Sequence, residues 1–191
     1  MEKHIITGGP CTGKTTLLNK LQGIGYETVP EAARNVIQRE QTKFEQDKSY
    51  HPILPWTDLC GFQDLVIKEQ YLLERAVKGP TVFADRSYID NIAYAEMGGF
   101  SIYHKIRPYL ESANYGKVFF LDQLNLYEND ESRKEDREKA KDLHEKLFEV
   151  YNRYDYEIVR VPDIGKENRL EMVLNSIGRF EKTEAGVLVP T

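Results

Sequence analysis

Short apolar runs alternate along this chain with longer segments whose apolar residues recur at helical spacing. His4-Ile5-Ile6-Thr7 reads as a first strand. Leu17, Leu18 and Leu21 follow as one face of a helix that Gly23 would close. Tyr26 to Val29 reads as a second strand, and Pro30 suits the first turn of a helix that buries Ala33, Val36 and Ile37. Residues 41–57 break the pattern. They are polar, contain Pro52 and Pro55, carry Tyr50, His51 and Trp56, and read as a long loop or flap. Leu59, Phe62, Leu65, Val66, Leu72, Leu73 and Ala76 mark the next helix, which Gly79-Pro80 stops. Thr81 to Asp85 is then a strand ending in a carboxylate.

Helical material is expected from about Tyr88 to Ala113, interrupted at Gly98-Gly99, and Lys117 to Asp122 reads as a fourth strand. The stretch from Glu128 to Lys146 mixes acidic and basic residues and reads as a solvated helix, with Leu143, Leu147, Val150, Tyr151 and Tyr154 on its apolar side. Glu157 to Val161 is a fifth strand, and Leu170, Val173, Leu174 and Ile177 belong to a last helix. The tail, residues 183–191, is expected to be loose. Strands that alternate with helices predict an α/β domain built on a parallel sheet.

Composition narrows the setting. The 191 residues carry 26 Lys and Arg against 31 Asp and Glu, a formal charge of −5, with 40% hydrophobic residues. That is enough apolar material for one globular core. The acidic balance speaks against broad nucleic-acid binding, which needs clustered Lys and Arg. No apolar run approaches the roughly 20 residues of a membrane span, and with no long apolar stretch after Met1-Glu2-Lys3-His4 no signal peptide is expected. Cys11 and Cys60 do not make a disulfide framework. A cytoplasmic protein is expected.

The strongest chemical signal is Gly8-Gly9-Pro10-Cys11-Thr12-Gly13-Lys14-Thr15, which fits G-x-x-x-x-G-K-[ST] between a strand and a helix. Glycines let backbone N–H groups curl around a polyphosphate, and the helix N-terminus adds further N–H groups and a positive partial charge. Lys14 would reach the β- and γ-phosphates, Thr15 would offer its hydroxyl to Mg²⁺, and Thr16 closes the run. Cys11 inside the loop is either a reactive thiol or a small outward-pointing side chain.

Three classes of P-loop protein compete. A GTPase needs D-x-x-G after a strand and a later N-K-x-D. Asp58-Leu59-Cys60-Gly61 follows a run containing Pro55, and the one Asn-Lys pair, Asn19-Lys20, lies inside the first helix. A motor-type ATPase needs a strand ending in Asp-Glu, whereas these strands end in Asp85-Arg86 and Asp122-Gln123. A small-molecule kinase needs a carboxylate for the acceptor hydroxyl's proton, a carboxylate near Mg²⁺, and arginines for the transferring phosphoryl. Glu31, just after the second strand, is a candidate for the first role, or else it compensates a helix dipole. Asp85 can hold Mg²⁺ through water and Arg86 can contact phosphate. The alternative for this Asp85-Arg86-Ser87 segment is to cap the next helix. Arg133 and Arg137, one helical turn apart, would present two guanidiniums from a lid, or else lie on a solvated surface.

Gly8 to Thr16, Val29-Pro30-Glu31-Ala32-Ala33-Arg34, Val82 to Ser87, Phe119 to Asp122, Asp130 with Arg133, and Val161-Pro162 occur in this order and spacing. In this the chain resembles the AAA-type P-loop ATP-binding domain family that includes nicotinamide-riboside kinase domains, and more distantly deoxynucleoside and thymidylate kinases. The resemblance implies a three-layer P-loop NTPase fold: a five-stranded parallel sheet in the order 2-3-1-4-5, with helices on both faces and a lid at about 123–138. It implies ATP with Mg²⁺ as donor, Glu31 as base, Arg133 and Arg137 on the lid, and residues 163–169 near the adenine. Gln63 is similar to a helix glutamine that such kinases use to read a base. The order Pro30-Glu31 departs from the Glu-Pro of the deoxynucleoside kinases.

The resulting expectation is a single kinase-like domain over residues 1–182 with a short tail. It would move the γ-phosphate of ATP to a nucleoside, nucleotide or related metabolite. Trp56, Tyr50 and Tyr88 are candidates to stack on a base, or else pack in the core or flap. The alternative is a non-kinase ATP- or GTP-binding regulatory protein, or a slow NTPase. A homodimer is among the assemblies allowed.

Overall fold

The structure is a computed structural model that describes residues 1–124, 134–178, 180–182 and 188–190. Five strands form one parallel sheet: β1 (Glu2–Thr7), β2 (Glu27–Val29), β3 (Thr81–Asp85), β4 (Tyr115–Leu121) and β5 (Ile158–Val161). Their order is β2-β3-β1-β4-β5, as the resemblance implied. Ile5 pairs with Ala84 on one side and Val118 on the other, so β1 is central. The order reverses at β1, and in open α/β sheets ligands bind at such a reversal, outside the carboxyl ends of the strands.

The helices are α1 (Lys14–Gly23), α2 (Ala32–Gln46), α3 (Leu59–Ala76), α4 (Tyr88–Met97), α5 (Tyr103–Ala113), α6 (Lys134–Tyr151) and α7 (Lys166–Ile177). Side chains alternate across a strand, and here both faces are covered, which is why the strands read as unbroken apolar runs. Ile6, Phe83 and Phe119 pack with Leu17 and Leu21 of α1 and Val173 and Leu174 of α7. Ile5, Val118 and Phe120 pack on the other face with Ile89 and Ile92 of α4 and Leu147 and Tyr151 of α6.

Two expectations are corrected. The loop placed at 41–57 begins later, because α2 runs to Gln46. The extra turns lack an apolar stripe but hold good helix formers, and fully buried Glu40 anchors the loop beyond them. Its carboxylate accepts from Lys43 at 2.6 Å, Tyr50 Oη at 2.5 Å and the Ile53 N–H at 3.2 Å. The tail is not loose throughout: β7 (Leu188–Pro190) pairs antiparallel with β6 (Phe180–Lys182). Within the described residues no helix is long and apolar enough to cross a membrane.

Candidate active site

The chain leaves β1 at Thr7 and turns at Gly8 with φ +134°. A Cβ at Gly8 would stand 2.5 Å from the Leu121 carbonyl oxygen, so the close passage of the loop over β4 requires glycine. Pro10 and Cys11 are exposed, and Gly13 caps α1. Lys14 opens that helix, and its Nζ donates to the carbonyls of Gly9 at 2.7 Å and Gly8 at 3.1 Å and to Thr12 Oγ1 at 3.3 Å. Thr12 Oγ1 donates in turn to the Gly9 carbonyl at 3.1 Å. Burial, then the nearby Arg86 guanidinium, lower the Lys14 ammonium to a pKa of about 8. Thr15 is exposed at the helix start, and Thr16 is half-buried.

Asp85 and Arg86 end β3 beside this loop. Asp85 is 6% exposed, and its Oδ1 is buried without a hydrogen-bond partner among the described residues. Desolvation, then the Glu31 carboxylate, raise its pKa to about 6. Arg86 takes an unusual positive φ of 71°. Its Nε donates to Glu31 Oε1 at 3.1 Å, and its Nη1 to Asp90 Oδ1 at 3.0 Å and the Gly8 carbonyl at 3.4 Å. Tyr94, Asp90, Glu31 and Asp85 around it hold the guanidinium charged although it is largely buried. Ser87, not Asp85, caps α4, in a reciprocal capping box with Asp90.

Glu31 precedes α2 and is 21% exposed at its side chain, with Arg34 Nη2 3.5 Å from its other oxygen. It lines two cavities. One, of about 290 Å³, is bounded by Thr15, Asp85, Val29, Arg34 and Asn35 among others. The second, of about 180 Å³, is mostly apolar, walled by Ala32, Ile37, Leu59, Phe62 and Val66, with Gln63, Gln70, Asn91, Tyr94 and Arg86 adding polar groups. Gln63 is 2% exposed, and its Oε1 has no partner among the described residues.

The structure therefore brings Thr15, Glu31, Asp85, Arg86 and Gln63 around two adjoining cavities, with Lys14 beside them, its Nζ turned onto the carbonyls of the loop. Other candidates lie elsewhere. Trp56 is 66% exposed and lines neither cavity, although its neighbour Pro55 does. Tyr50 is tied to Glu40. Tyr88 is core, ring to ring with Tyr109 and Tyr115. Asp58 caps α3 by accepting from the Gly61 N–H, so the D-x-x-G run is a helix start. Arg133 lies outside the described residues, as does most of the expected lid. Arg137 falls in the described backbone of α6, with its side chain outside the described set.

Three residues were missed by sequence reasoning. Asp90 is buried and accepts from Thr7 Oγ1, Arg86, the Ser87 N–H and Tyr151 Oη. Arg169 on α7 donates to the carbonyls of Thr12 at 2.6 Å, Pro162 at 2.8 Å and Asp122 at 2.9 Å, joining the phosphate loop to the ends of β4 and β5. The resemblance had placed residues 163–169 near an adenine, without this contact. His144 on α6 accepts from the Gly9 N–H. The capping-box spacing from Ser87 to Asp90 was a signal for the first; no local pattern marked the other two.

The donor set suits Mg²⁺ held with a nucleotide. Thr15, which carries a hydroxyl, and Asp85, which keeps one carboxylate oxygen buried and unpartnered among the described residues, line one cavity, and hard oxygen ligands supplemented by water and phosphate are what this ion takes. No group of three His, Cys, Asp or Glu side chains forms a self-sufficient metal site among the described residues.

A central-strand P-loop, a switch-point cleft and a 2-3-1-4-5 parallel sheet define a P-loop nucleotide-binding domain with the fold of P-loop kinases. The sequence model described as AAA domain matches residues 3–169, and the chain belongs to that family. No curated protein matches it. Among solved structures it is similar to a NadR protein in complex with NR, at 20% identity and a TM-score of 0.65, over 93% of this chain and 52% of that one. A NadR protein in complex with NAD and AMP-PNP aligns at 18% identity and a TM-score of 0.61, over 93% and 49%. Shikimate kinase from Aquifex aeolicus aligns at 16% identity and a TM-score of 0.53, over 92% and 96%. The chain thus spans about half the length of the NadR structures.

Proposed function

We propose that the protein is a small-molecule kinase that transfers the γ-phosphate of ATP to a hydroxyl or phosphate of a compact acceptor, a nucleoside, nucleotide or related metabolite. The observation that carries this reading is the position of Glu31. It is shared by the cavity beside Thr15 and Asp85 and by the apolar cavity with buried amides. A carboxylate between a phosphate site and an acceptor site suits a group that takes the acceptor's proton. Neighbours that bind NR and AMP-PNP in a NadR protein, or are named shikimate kinase, support the class.

In this reading Lys14 and the backbone N–H groups of the loop hold the triphosphate, and Thr15 and Asp85 hold Mg²⁺, which when bound offsets phosphate charge. Glu31 orients the acceptor hydroxyl and receives its proton. Arg86 fixes Glu31 from the protein side, because its guanidinium is already engaged by Glu31 and Asp90. The lining of Phe62, Val66 and Ile37 excludes water, and Gln63 offers an acceptor atom to a donor on the ligand.

The test pairs ATP binding with a product screen. The full chain, Mg²⁺ and ATP are incubated with nucleosides, nucleotides and small hydroxy acids, and phosphorylated product is sought by mass spectrometry. ATP binding that Lys14→Ala abolishes, together with one acceptor that yields product, is the expected result. ATP binding with no product across the panel supports the regulatory alternative instead.

A further inference from the structure

Helix α6 crosses the phosphate loop at Gly9. A Cβ there would lie 2.9 Å from His144 Cβ and 3.2 Å from the Ala140 carbonyl oxygen, so absence of a side chain is what lets helix and loop touch. At this contact the Gly9 N–H donates to His144 Nδ1 at 3.1 Å. The carbonyl of the same peptide group belongs to Gly8, and it accepts from Lys14 Nζ at 3.1 Å and Arg86 Nη1 at 3.4 Å. A peptide unit is planar, so its N–H and C=O turn together. Whatever holds the N–H therefore fixes one of the carbonyls to which Lys14 is anchored. The imidazole is itself held edge-on against Phe120, centroids 4.8 Å apart.

We propose that His144 is a positioning residue of the nucleotide site: its unprotonated Nδ1 anchors the Gly8–Gly9 peptide and, through it, the ammonium of Lys14. The inference rests on the reading of this loop as an ATP site. A ring nitrogen accepts only when it carries no proton, so the contact exists with neutral His144 and is lost with the imidazolium. The charged groups facing the ring are Asp122 after β4, Arg160 on β5, Lys14 on α1 and Glu145 on its own helix. Burial, Arg160 and Lys14 prevail over the two carboxylates, so the ring is neutral at pH 7.5 and charges only in acid.

The experiment measures AMP-PNP affinity with Mg²⁺ for the wild type, His144→Ala and His144→Asn, from pH 7.5 to pH 5, with thermal melting of each nucleotide-free protein alongside. At pH 7.5, His144→Ala binds about five- to tenfold more weakly, the effect of one hydrogen bond. Asparagine carries an amide oxygen near the place of Nδ1 and does not titrate, so His144→Asn recovers most of that loss. As pH falls, the wild type loses affinity relative to His144→Asn; the protonation of nucleotide and of Asp85 is common to both and cancels. If His144→Ala does not fold, the pH dependence of the wild-type to His144→Asn ratio decides. Alanine binding as tightly as wild type, asparagine failing to recover the loss, or a ratio constant with pH overturns the proposal alone. No AMP-PNP binding by the wild type overturns the ATP-site reading with it.

Discussion

Arg86 Nε lies 3.1 Å from Glu31 Oε1, across the gap between the end of β3 and the start of α2. The same guanidinium reaches Asp90 on α4 at 3.0 Å. The candidate base is thus fixed by a cation that is itself buried, and its second oxygen stands 3.5 Å from the exposed Arg34 guanidinium. Replacing Glu31 by Gln preserves shape and removes the proton acceptor. The expected outcome is loss of phosphoryl transfer by about 10²–10⁴-fold with nucleotide affinity within about threefold. Product formation and AMP-PNP titration on the same preparation check it; transfer within threefold of wild type removes Glu31 from the proton-accepting role.

Arg86→Met tests the structural half of that relationship. It leaves Asp90 buried without its cationic partner, and stranding one charge of a buried pair costs about 3–5 kcal/mol. Denaturant unfolding should show a loss of this order. A change below about 1 kcal/mol would mean that Thr7, Ser87 and Tyr151 suffice to hold the Asp90 carboxylate.

Asp85 gives a pH-dependent prediction. Its folded pKa is raised from 3.8 to about 6 by burial and by Glu31. The ionised group therefore opposes folding fully above pH 6, and this opposition is relieved as pH falls from 6 toward 3.8. Asp85→Asn removes it. The nucleotide-free variant should be more stable than wild type at pH 7.5 by on the order of 3 kcal/mol, raising Tm by roughly 6–12 °C for a chain of this size. The advantage should shrink toward pH 4, while Mg²⁺-supported transfer is lost. Melting curves at several pH values, in EDTA, test the sign; a variant less stable than wild type at pH 7.5 contradicts it.

Gln63 carries a buried acceptor that has no partner among the described residues. An unpaired buried polar group costs about 1–3 kcal/mol, and an apolar residue of similar shape escapes that cost. Gln63→Leu should therefore stabilise the ligand-free protein while weakening the acceptor: its KM rises about tenfold or more, and the KM for ATP is unchanged. Stability can be measured before any acceptor is known. A destabilised variant would show that Gln63 is a packing residue with its oxygen satisfied by water.

Much of this site was legible along the chain because its chemistry is local. The eight residues Gly8 to Thr15 define the phosphate loop by spacing alone, and Asp85 follows an apolar run that can only be a strand. Glu31 was legible as a carboxylate at the sheet edge, but its position between two cavities was not. That depends on how α2 and α3 enclose Phe62 and Val66. Trp56 could be read along the chain as a base-stacking platform or as core or flap packing, and only the tertiary structure shows it largely exposed and outside the lining of both cavities. The continuation of α2 to Gln46 escaped notice for a related reason. Its stabilising contacts run from Glu40 to Tyr50 and Ile53, in a loop with no helical period.

By itself the sequence determined the alternation of strands and helices, the faces of most helices and the nucleotide loop, because each arises from residues within a turn or a strand of one another. The tertiary structure decided which groups hold that loop in place. Thr7 finds Asp90 83 positions away, Gly9 finds His144 at 135, and Thr12 finds Arg169 at 157. No local rule links such pairs. They meet because burying the two faces of one parallel sheet brings α4, α6 and α7 to the carboxyl edge of β1, where the polar groups left over must satisfy one another.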